Sequence, residues 1–255
     1  MSKNILAAQA PEVGTSTVGA GMQAHGANLA QGAQMLNMRN GAQRVSNATA
    51  RRAEAPMFVD RARTILPIEF KGSVVELEAH AYEDDTVSYQ AMALVHRTEA
   101  GSQATPIVRV HSGCVTGDIF HSLRCDCYQQ LQKALDVIIA SDNGIIVYLP
   151  HHEGRGIGLV NKIKAYAAQD RGLDTVDANL SIGAPIDARD YELAAKILKD
   201  LGAETVKLMT NNPAKVSELT KLGIDVVEQV AHVVRSSPYN ERYLATKRER
   251  MAHKL

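Results

Sequence analysis

The stretch RVHSGCVTGDIFHSLRCDC, residues 109–127, contains all three cysteines of the 255-residue chain. It begins with alternating residues that are typical of a strand. Beyond its end, apolar residues recur at helical spacing, at Leu131, Leu135 and Ile138. We therefore predict a strand, a loop that carries the thiols, and then a helix that stops near Gly144.

The three cysteines, Cys114, Cys125 and Cys127, lie too close together in sequence to be scattered structural thiols. An odd count, and a chain start without the apolar core of a secretory signal, argue against a disulfide scaffold. A Cys-x-Cys pair at a helix start, with a third cysteine upstream, can place three sulfurs around one metal ion. Structural zinc is generally enclosed by four protein ligands, whereas catalytic zinc keeps one position for water. The alternative is that the three cysteines act as small buried apolar side chains.

Charge and hydropathy exclude several classes of protein. The chain has 28 Lys and Arg against 28 Asp and Glu, so its formal net charge is zero. A protein that binds nucleic acid polymers normally carries a basic excess or patch. The apolar runs are far shorter than the roughly 20 residues that span a bilayer. We expect a cytoplasmic protein with neither a nucleic acid polymer nor a membrane as its partner.

Composition divides the chain into residues 1–60 and residues 61–255. The first part is rich in Ala, Gly, Gln and Asn, and no aromatic residue precedes Phe58. It has little with which to build a core, so we predict an N-terminal extension, either a mobile arm or a partly helical segment packed on the body. Residues 61–255 begin with strand-like runs and continue with alternating strands and helices. This predicts one α+β domain, with a mixed β-sheet core and flanking helices.

Another polar segment, HHEGRGIG at residues 151–158, follows a predicted strand and precedes a helix predicted at residues 159–171. Its alternating glycines allow the backbone to approach a ligand, and a helix start favours an anion. The pattern is neither the phosphate loop nor the dinucleotide glycine motif. Residues 151–153 form the sequence His-x-Glu, which zinc nucleobase deaminases also contain. Those enzymes need Pro-Cys-x-x-Cys as well, and this chain lacks it, which argues against a deaminase.

Two later polar segments surround Asp187 and Asn212. Taken alone, both residues are typical helix N-caps, before helices predicted at residues 188–201 and from Pro213 onward. Residues 210–212 also follow a predicted strand. The polar ends of strands are where open α/β sheets bind ligands.

Taken together and in order, the motifs RVHSxCxTGD, SLRCDC, EGRGIGL, NKIxAYAxQD, DTVxAN, DxRDY and LxTNNPxK resemble GTP cyclohydrolase II. The resemblance runs from about Ile65 to the C-terminus and is dense from Arg109 to Asp225. It implies the fold of that family, a homodimer, and the zinc-dependent hydrolytic opening of the imidazole ring of GTP. The implied products are formate, pyrophosphate and 2,5-diamino-6-ribosylamino-4(3H)-pyrimidinone 5′-phosphate, at the first step of riboflavin synthesis.

The resemblance also implies a metal site and a set of nucleotide contacts. Cys114, Cys125 and Cys127 would hold one Zn2+ per subunit, which activates water for attack on C8 of the purine. Carboxylates suit the guanine N–H and amino groups, and cations suit phosphates. The implied nucleotide contacts are Arg109, Gln130, Glu153, Gly154, Arg155, Thr175, Thr210 and Lys215.

Three catalytic residues follow from the same resemblance. Tyr166 matches a tyrosine that assists the hydrolysis. Arg189 matches the residue proposed to attack the α-phosphate, with Asp187 as its proton acceptor, and pyrophosphate would leave with the aid of Mg2+. Because a guanidinium is protonated in nearly all settings, we interpret Arg189 as a phosphate-site residue rather than a proven nucleophile.

The chain departs from the usual pattern of the family at four positions. Gly113 stands where the family usually has Glu, His151 and His152 where it has Arg-Gln, and Tyr128 where Gly is common. The replacement of Glu and Arg by Gly and His alters the local charge and should leave room in the site. The alternative hypothesis is therefore a diverged paralogue that uses the same zinc chemistry on another nucleotide or in pyrimidine (uracil) catabolism. A non-catalytic zinc-stabilised protein would have no need of the predicted catalytic set.

Overall fold

The structure, a computed structural model, describes Phe58, residues 60–84 and residues 89–251. Most of the extension predicted over residues 1–60 lies outside these residues, so that prediction stays untested. Among the helices of the described part of the chain, none is long and apolar enough to cross a membrane.

One mixed sheet of seven strands organises the described residues. In spatial order the strands are β1 (Asp60–Phe70), β2 (Ser73–Glu83), β3 (Gln90–Arg97), β5 (Asn143–Leu149), β4 (Ile107–Ser112), β6 (Thr205–Met209) and β7 (Asp225–Val230). The neighbours from β1 to β5 are antiparallel, and those from β5 to β7 are parallel. The predicted α+β class with a mixed sheet is confirmed.

All the helices follow β4 in the described part of the chain, and all but the last lie in connections between strands. They are α1 (Cys127–Ala140), α2 (Glu153–Gly156), α3 (Gly158–Asp170), α4 (Thr175–Ser181), α5 (Glu192–Asp200), α6 (Pro213–Lys221) and α7 (Glu241–Met251). A π-helical turn, Val115–Ile119, and a 3-10 turn, Pro150–His152, precede α1 and α2. The sequence patterns predict α1, α3, α5 and α6 but give no signal for α4 or α7.

Strand β5 is buried on both faces of the sheet. Ile145 and Val147 belong to one core cluster with Ile197 of α5, whereas Ile146 packs in another with Ile138 of α1. Successive side chains of a strand point to opposite faces, so helices on both sides are needed to cover them. This double burial explains the continuous apolar run of β5.

Two predicted helix boundaries are wrong. Helix α1 ends at Ala140, and Gly144 is the second residue of β5 rather than a helix stop. Helix α5 begins at Glu192 rather than at Ala188, because the preceding residues are irregular and Ala188 N donates to the distant Arg155 O at 2.9 Å instead of entering a helix.

The two predicted N-caps differ in outcome. Asn212 does cap α6, since its side chain accepts a hydrogen bond from Ala214 N at 3.0 Å. Asp187 caps no helix and instead accepts from the backbone and side chain of Arg189. The capping interpretation of Asp187 is therefore wrong.

The topology brings three strand ends to one edge of the sheet. Strand β4 lies between β5 and β6, and all three are parallel. The chain leaves β4 toward β5 and later returns to the other side of β4 to form β6. Such a reversal of strand order opens a crevice outside the carboxyl ends of the strands. Residues 113–127, 150–158 and 210–212 all begin at this crevice.

The variant Gly144→Ala tests the close packing of β5 against α1. A β carbon at Gly144 would lie 2.6 Å from Ile138 Cβ and 2.7 Å from Ser141 Oγ. Because overpacking forces side chains and backbone to shift, we expect the free energy of unfolding to fall by about 1–3 kcal/mol. Urea denaturation measures this change. A midpoint equal to that of the wild type would contradict the packing described here.

Candidate active site

The crevice at the ends of β4, β5 and β6 collects most of the residues that the sequence predicts for the site. Those that line it are Arg109, Cys114, Cys125, Cys127, Gln130, Gly154, Arg155, Tyr166, Thr175, Arg189, Thr210 and Lys215. The two remaining predicted residues, Asp187 and Glu153, are bonded to Arg189 and Lys162, which both line the crevice.

The three cysteine sulfurs form a compact cluster. All three lie within 4.8 Å of one another, and the sulfurs of Cys114 and Cys125 are 3.8 Å apart. Cys114 caps the π-helical turn, and Cys127 is the first residue of α1. Zn–S bonds of about 2.3 Å in a tetrahedral site put two sulfurs about 3.8 Å apart. The donor set and its spacing therefore fit a zinc ion.

Gly117 allows the cysteine sulfurs to come together. A β carbon at this position would lie 2.8 Å from Cys125 Sγ and 3.0 Å from Cys114 Sγ. The amide of Gly117 also donates to Cys114 Sγ at 3.3 Å. The π-helical turn can thus wrap closely around the sulfurs only because this residue has no side chain.

A buried lysine and a buried glutamate support the thiol cluster. Lys162 Nζ donates to Cys114 Sγ at 2.9 Å and to Glu153 Oε1 at 2.6 Å. Hydrogen bonds from the other two thiols, aided by Lys162, hold the pKa of Cys114 far below its usual range. A thiolate is the form that binds a metal, so Cys114 is electrostatically prepared to bind a cation. Lys162 lies inside the motif NKIxAYAxQD, but no local sequence pattern marks it as a partner of the thiols.

Both carboxylate oxygens of Glu153 have partners inside the protein. One accepts from Lys162, and the other accepts from Val115 N at 2.6 Å, directly after Cys114. In this arrangement Glu153 holds the turn that carries the first cysteine. Its predicted contact with the guanine ring stays a prediction.

Three predicted nucleotide contacts are cations without a carboxylate within ion-pair distance among the residues that the structure describes. Arg109 donates to Met209 O at 3.0 Å and to Gln130, and Lys215 donates to Val110 O at 2.7 Å. The two terminal nitrogens of Arg155 are buried without a hydrogen-bond partner. Burial lowers the pKa of Arg109 to about 10 and that of Lys215 well below its usual value. Because burying a cation without a carboxylate partner is costly, the convergence of these three side chains favours an anionic ligand.

Arg155 is also held in an uncommon backbone conformation. Its φ is +67°, and it follows Gly154 at +61°. Left-handed backbone is costly for a residue with a side chain and is retained mainly where the surrounding structure enforces it. The strained turn directs the guanidinium of Arg155 into the crevice.

Asp187 and Arg189 form a bidentate ion pair. Arg189 Nε donates to Asp187 Oδ1 at 2.8 Å, NH2 donates to Oδ2, and NH1 donates to Ser112 Oγ at 3.3 Å. Although burial opposes it, the hydrogen bonds to Asp187 raise the pKa of Arg189 above its ordinary value. The guanidinium is therefore firmly protonated, which suits a phosphate ligand better than nucleophilic attack.

Tyr166 projects from α3 into the same crevice. The Arg124 guanidinium lies 4.6 Å from the centre of its ring, and Lys162 Nζ lies 5.8 Å away. Burial raises the pKa of the phenol, so it keeps its proton at neutral pH. Tyr166 can therefore donate a hydrogen bond beside the thiol cluster.

Comparison with known proteins decides the family of this chain. The sequence model of GTP cyclohydrolase II matches residues 61–231, which is more than half of the chain. The chain belongs to the GTP cyclohydrolase II family. The family consists of hydrolases that act on GTP.

Similar curated proteins include three named riboflavin biosynthesis protein RibBA. Identity is 50% over 174 residues for the protein of Salinispora tropica, 48% over 174 for that of Aquifex aeolicus and 51% over 180 for that of Chlamydia trachomatis. The alignments with the Salinispora tropica and Aquifex aeolicus proteins each cover 68% of this chain and 43% of the relative. The alignment with the Chlamydia trachomatis protein covers 71% of this chain and 42% of the relative. The chain thus spans less than half the length of the curated relatives it matches.

Gly113, where the GTP cyclohydrolase II family usually has Glu, lines the crevice. A β carbon there would lie 3.0 Å from both Leu149 O and Pro150 Cα. A side chain here would require the end of β5 to shift slightly, and the expectation that the glycine leaves room in the site stays a prediction. The glycine lets the ends of β4 and β5 approach, and its amide donates to Leu149 O at 2.9 Å.

The other departures from the family pattern differ in their positions. His152 lines the crevice, and its Nδ1 lies 3.2 Å from Ser112 Oγ, the hydroxyl that also accepts from Arg189. His151 stacks on Tyr89, with ring centres 4.3 Å apart. Tyr128 packs against His121 and is not among the lining residues. Of the two histidines, His152 is the one that can influence a bound nucleotide directly.

Two buried histidines predict acid sensitivity. His152 and His232 are each 1% exposed, and burial lowers the pKa of both to about 3, against about 6.5 in an unfolded chain. The unfolded state therefore binds protons first, and stability present above pH 6.5 is lost as the pH falls toward 3. Each histidine contributes at most about 1.4 kcal/mol per pH unit in this window.

We expect His152→Gln and His232→Gln each to flatten the fall in unfolding free energy between pH 7.5 and pH 5. Urea denaturation at several pH values measures the slope. His121→Asn is a matched control, because His121 is exposed and Asn tolerates its φ of +51°. If the dependence of unfolding free energy on pH changed in His121→Asn but not in His152→Gln or His232→Gln, the role assigned to burial would be contradicted.

Proposed function

We propose that this chain carries out the zinc-dependent opening of the imidazole ring of GTP, with release of formate and pyrophosphate. The product would be 2,5-diamino-6-ribosylamino-4(3H)-pyrimidinone 5′-phosphate, as the first step of riboflavin synthesis. The observation that carries the proposal is a cluster of three thiols in the same crevice as the buried Arg109 and Lys215 and the half-buried Arg155, none of which has a carboxylate partner among the described residues. Family membership and the riboflavin names of the relatives support it.

The cations bind the triphosphate in this proposal. Arg109, Arg155 and Lys215 exchange unfavourable burial for charge-assisted hydrogen bonds with phosphate oxygens. Arg189 adds a planar donor, which Asp187 holds in a fixed orientation through two side-chain hydrogen bonds. Mg2+ would accompany the triphosphate and share the neutralisation of its charge.

Cys114, Cys125 and Cys127 would hold Zn2+, which supplies a Lewis acid that makes water nucleophilic near neutral pH. Lys162 and Glu153 keep the turn after Cys114 in place. Lys162 donates hydrogen bonds to the Cys114 sulfur and to Glu153, and Glu153 in turn accepts one from Val115 N. The charge of Lys162 also offsets the charge of the thiolate.

Tyr166 acts at the purine end of the nucleotide in this proposal, and Arg189 acts at the phosphate end. Tyr166 keeps its phenolic proton, so it donates a hydrogen bond to the purine atom that gains charge as the ring opens. Arg189 stays protonated and binds the α-phosphate, from which pyrophosphate leaves. A homodimer and a cytoplasmic location stay predictions of the sequence.

The second candidate is a paralogue that applies the same zinc chemistry to another nucleotide or acts in pyrimidine (uracil) catabolism. Gly113 and His152 favour it, because both line the crevice and both differ from the usual family pattern. Gly113 has no carboxylate where the family usually has one, which changes the hydrogen-bonding groups available to the nucleobase of a bound nucleotide. The products formed from GTP decide between the two candidates.

Incubation of the protein with GTP, Zn2+ and Mg2+ is the test of the proposed function. We expect formate, pyrophosphate and the diaminopyrimidine in equal amounts, measured by chromatography and coupled assays. Tyr166→Phe should suppress formate release by about 100-fold or more, the usual size of a lost proton donor, and pyrophosphate release less.

Turnover of a different nucleotide, with none of GTP, would favour the paralogue. Equal loss of formate and pyrophosphate in Tyr166→Phe would contradict the division of roles between Tyr166 and Arg189.

The variant Gly117→Ala tests the metal site without removing a ligand. The added methyl group would contact the sulfurs of Cys125 and Cys114 at 2.8 Å and 3.0 Å, so we expect bound zinc to fall as strongly as in Cys125→Ser. Zinc is measured by mass spectrometry of the purified protein. Val115→Ala, in the same turn, removes atoms instead of adding them and should keep its zinc. Wild-type zinc content in both Gly117→Ala and Cys125→Ser would show that the site is elsewhere.

A further inference from the structure

Helix α7 brings two further residues to the crevice. It begins at Glu241, whereas the match to the family model ends at residue 231. Tyr243 and Lys247 both line the crevice together with the cysteines. They are four residues apart and therefore lie on the same face of the helix. The crevice thus includes side chains from beyond the residues that the family model matches.

A buried ion pair connects α7 to the thiol loop. Lys247 Nζ lies 3.1 Å from Asp126 Oδ1, and the two side chains are 10% and 1% exposed. Asp126 stands between Cys125 and Cys127. Removal of the lysine would leave a buried carboxylate without its cation, which is strongly unfavourable. The helix is therefore held at a position next to the proposed metal ligands.

The ion pair continues into a chain of hydrogen bonds that ends at a nucleotide contact. Gln130 Nε2 donates to Asp126 Oδ2 at 2.5 Å, and Gln130 Oε1 accepts from Arg109 NH2. An amide has a donor end and an acceptor end. Because Asp126 accepts from the donor end, the oxygen of Gln130 faces Arg109. Lys247 thus acts on the orientation of Arg109 through two intermediate side chains.

Tyr243 contacts a second nucleotide contact directly. Its ring centre lies 5.9 Å from the guanidinium carbon of Arg155 and 4.3 Å from Lys247 Nζ. Cations within about 6 Å of an aromatic ring centre are attracted to the ring. Since the terminal nitrogens of Arg155 have no hydrogen-bond partner in the described part of the chain, the ring of Tyr243 supplies contact where protein acceptors are lacking.

The far end of α7 is fixed to α4 at the surface. Arg250 pairs with Asp174 and, at 3.1 Å, with Asp177. The Asp174 side chain also caps α4, whose first residue, Thr175, lines the crevice. These exposed pairs are individually weak and are screened by salt. They connect the helix to another segment that lines the site.

We propose that α7 is a wall of the nucleotide site in which Lys247 and Tyr243 are positioning residues, acting on Arg109 through Asp126 and Gln130 and on Arg155 directly. This inference rests on the proposed function, since the positioned cations are those that would bind the triphosphate of GTP. Lys247 and Tyr243 orient groups that meet the phosphates, whereas Tyr166 and the cysteines act at the purine. Loss of either α7 side chain should therefore weaken nucleotide binding more than the chemical step.

The test compares full-length variants of α7 by steady-state kinetics with GTP. We expect Lys247→Met to raise KM about tenfold or more, and Tyr243→Leu to raise it about three- to tenfold, with smaller changes in kcat. Tyr243→Phe keeps the ring and should restore a KM near that of the wild type. Arg248→Ala is the matched control, because Arg248 is an exposed cation of the same helix.

Hydrogen–deuterium exchange of the ligand-free protein gives a second readout that needs no turnover. Lys247→Met and Tyr243→Leu should speed exchange locally, in residues 126–131 and 153–158, and leave β3 unchanged. A merely structural defect would speed exchange in β3 as well. Values of KM and exchange equal to those of Arg248→Ala would overturn the inference. If the wild type failed to turn over GTP, the proposed function would be wrong, and the exchange comparison would still decide whether α7 positions the crevice.

Discussion

The site depends on the parallel arrangement of β4, β5 and β6. Because β4 lies between the other two, the segments that follow all three strands meet at one edge of the sheet. The cysteine loop, the glycine-rich turn and residues 210–212 are far apart in sequence, yet each needs only a few residues to reach the others. Burial of β5 on both faces fixes this edge in place.

Within this frame, charge organises the crevice. The chain has no net charge, but its cations are not evenly matched with carboxylates. Lys162, Lys247 and Arg189 each pair with an acidic side chain, whereas Arg109, Arg155 and Lys215 make no such pair in the described residues. The paired cations shape the site, and the unpaired ones are available to a ligand. An overall neutral composition therefore says little about the local preference for an anion.

The sequence predicts the sheet and most helices, because apolar periodicity is a local signal. The thiol cluster also follows from cysteine spacing, whereas most of the other predicted crevice residues come from the resemblance to the GTP cyclohydrolase II family. The sequence misses contacts between distant segments, such as that of Lys162 with Cys114, since no local pattern encodes them. It misses α7 for a related reason. The buried residues of that helix include the polar Thr246 and Lys247, so apolar periodicity is weak there. Asp187 resembles a helix cap in sequence, but the nearby Arg189 competes successfully for its carboxylate.

The unpaired cations also have a consequence for the lifetime of the protein. In the absence of a ligand, Arg109 and Lys215 are buried near each other and near Arg189, and this repulsion lowers the pKa of Lys215 in addition to burial. A bound anion relieves the repulsion in the folded state alone, so it raises the free energy of unfolding. In a cell, proteases remove unfolded chains continuously. The amount of this protein should therefore follow the supply of an anion that binds in the crevice.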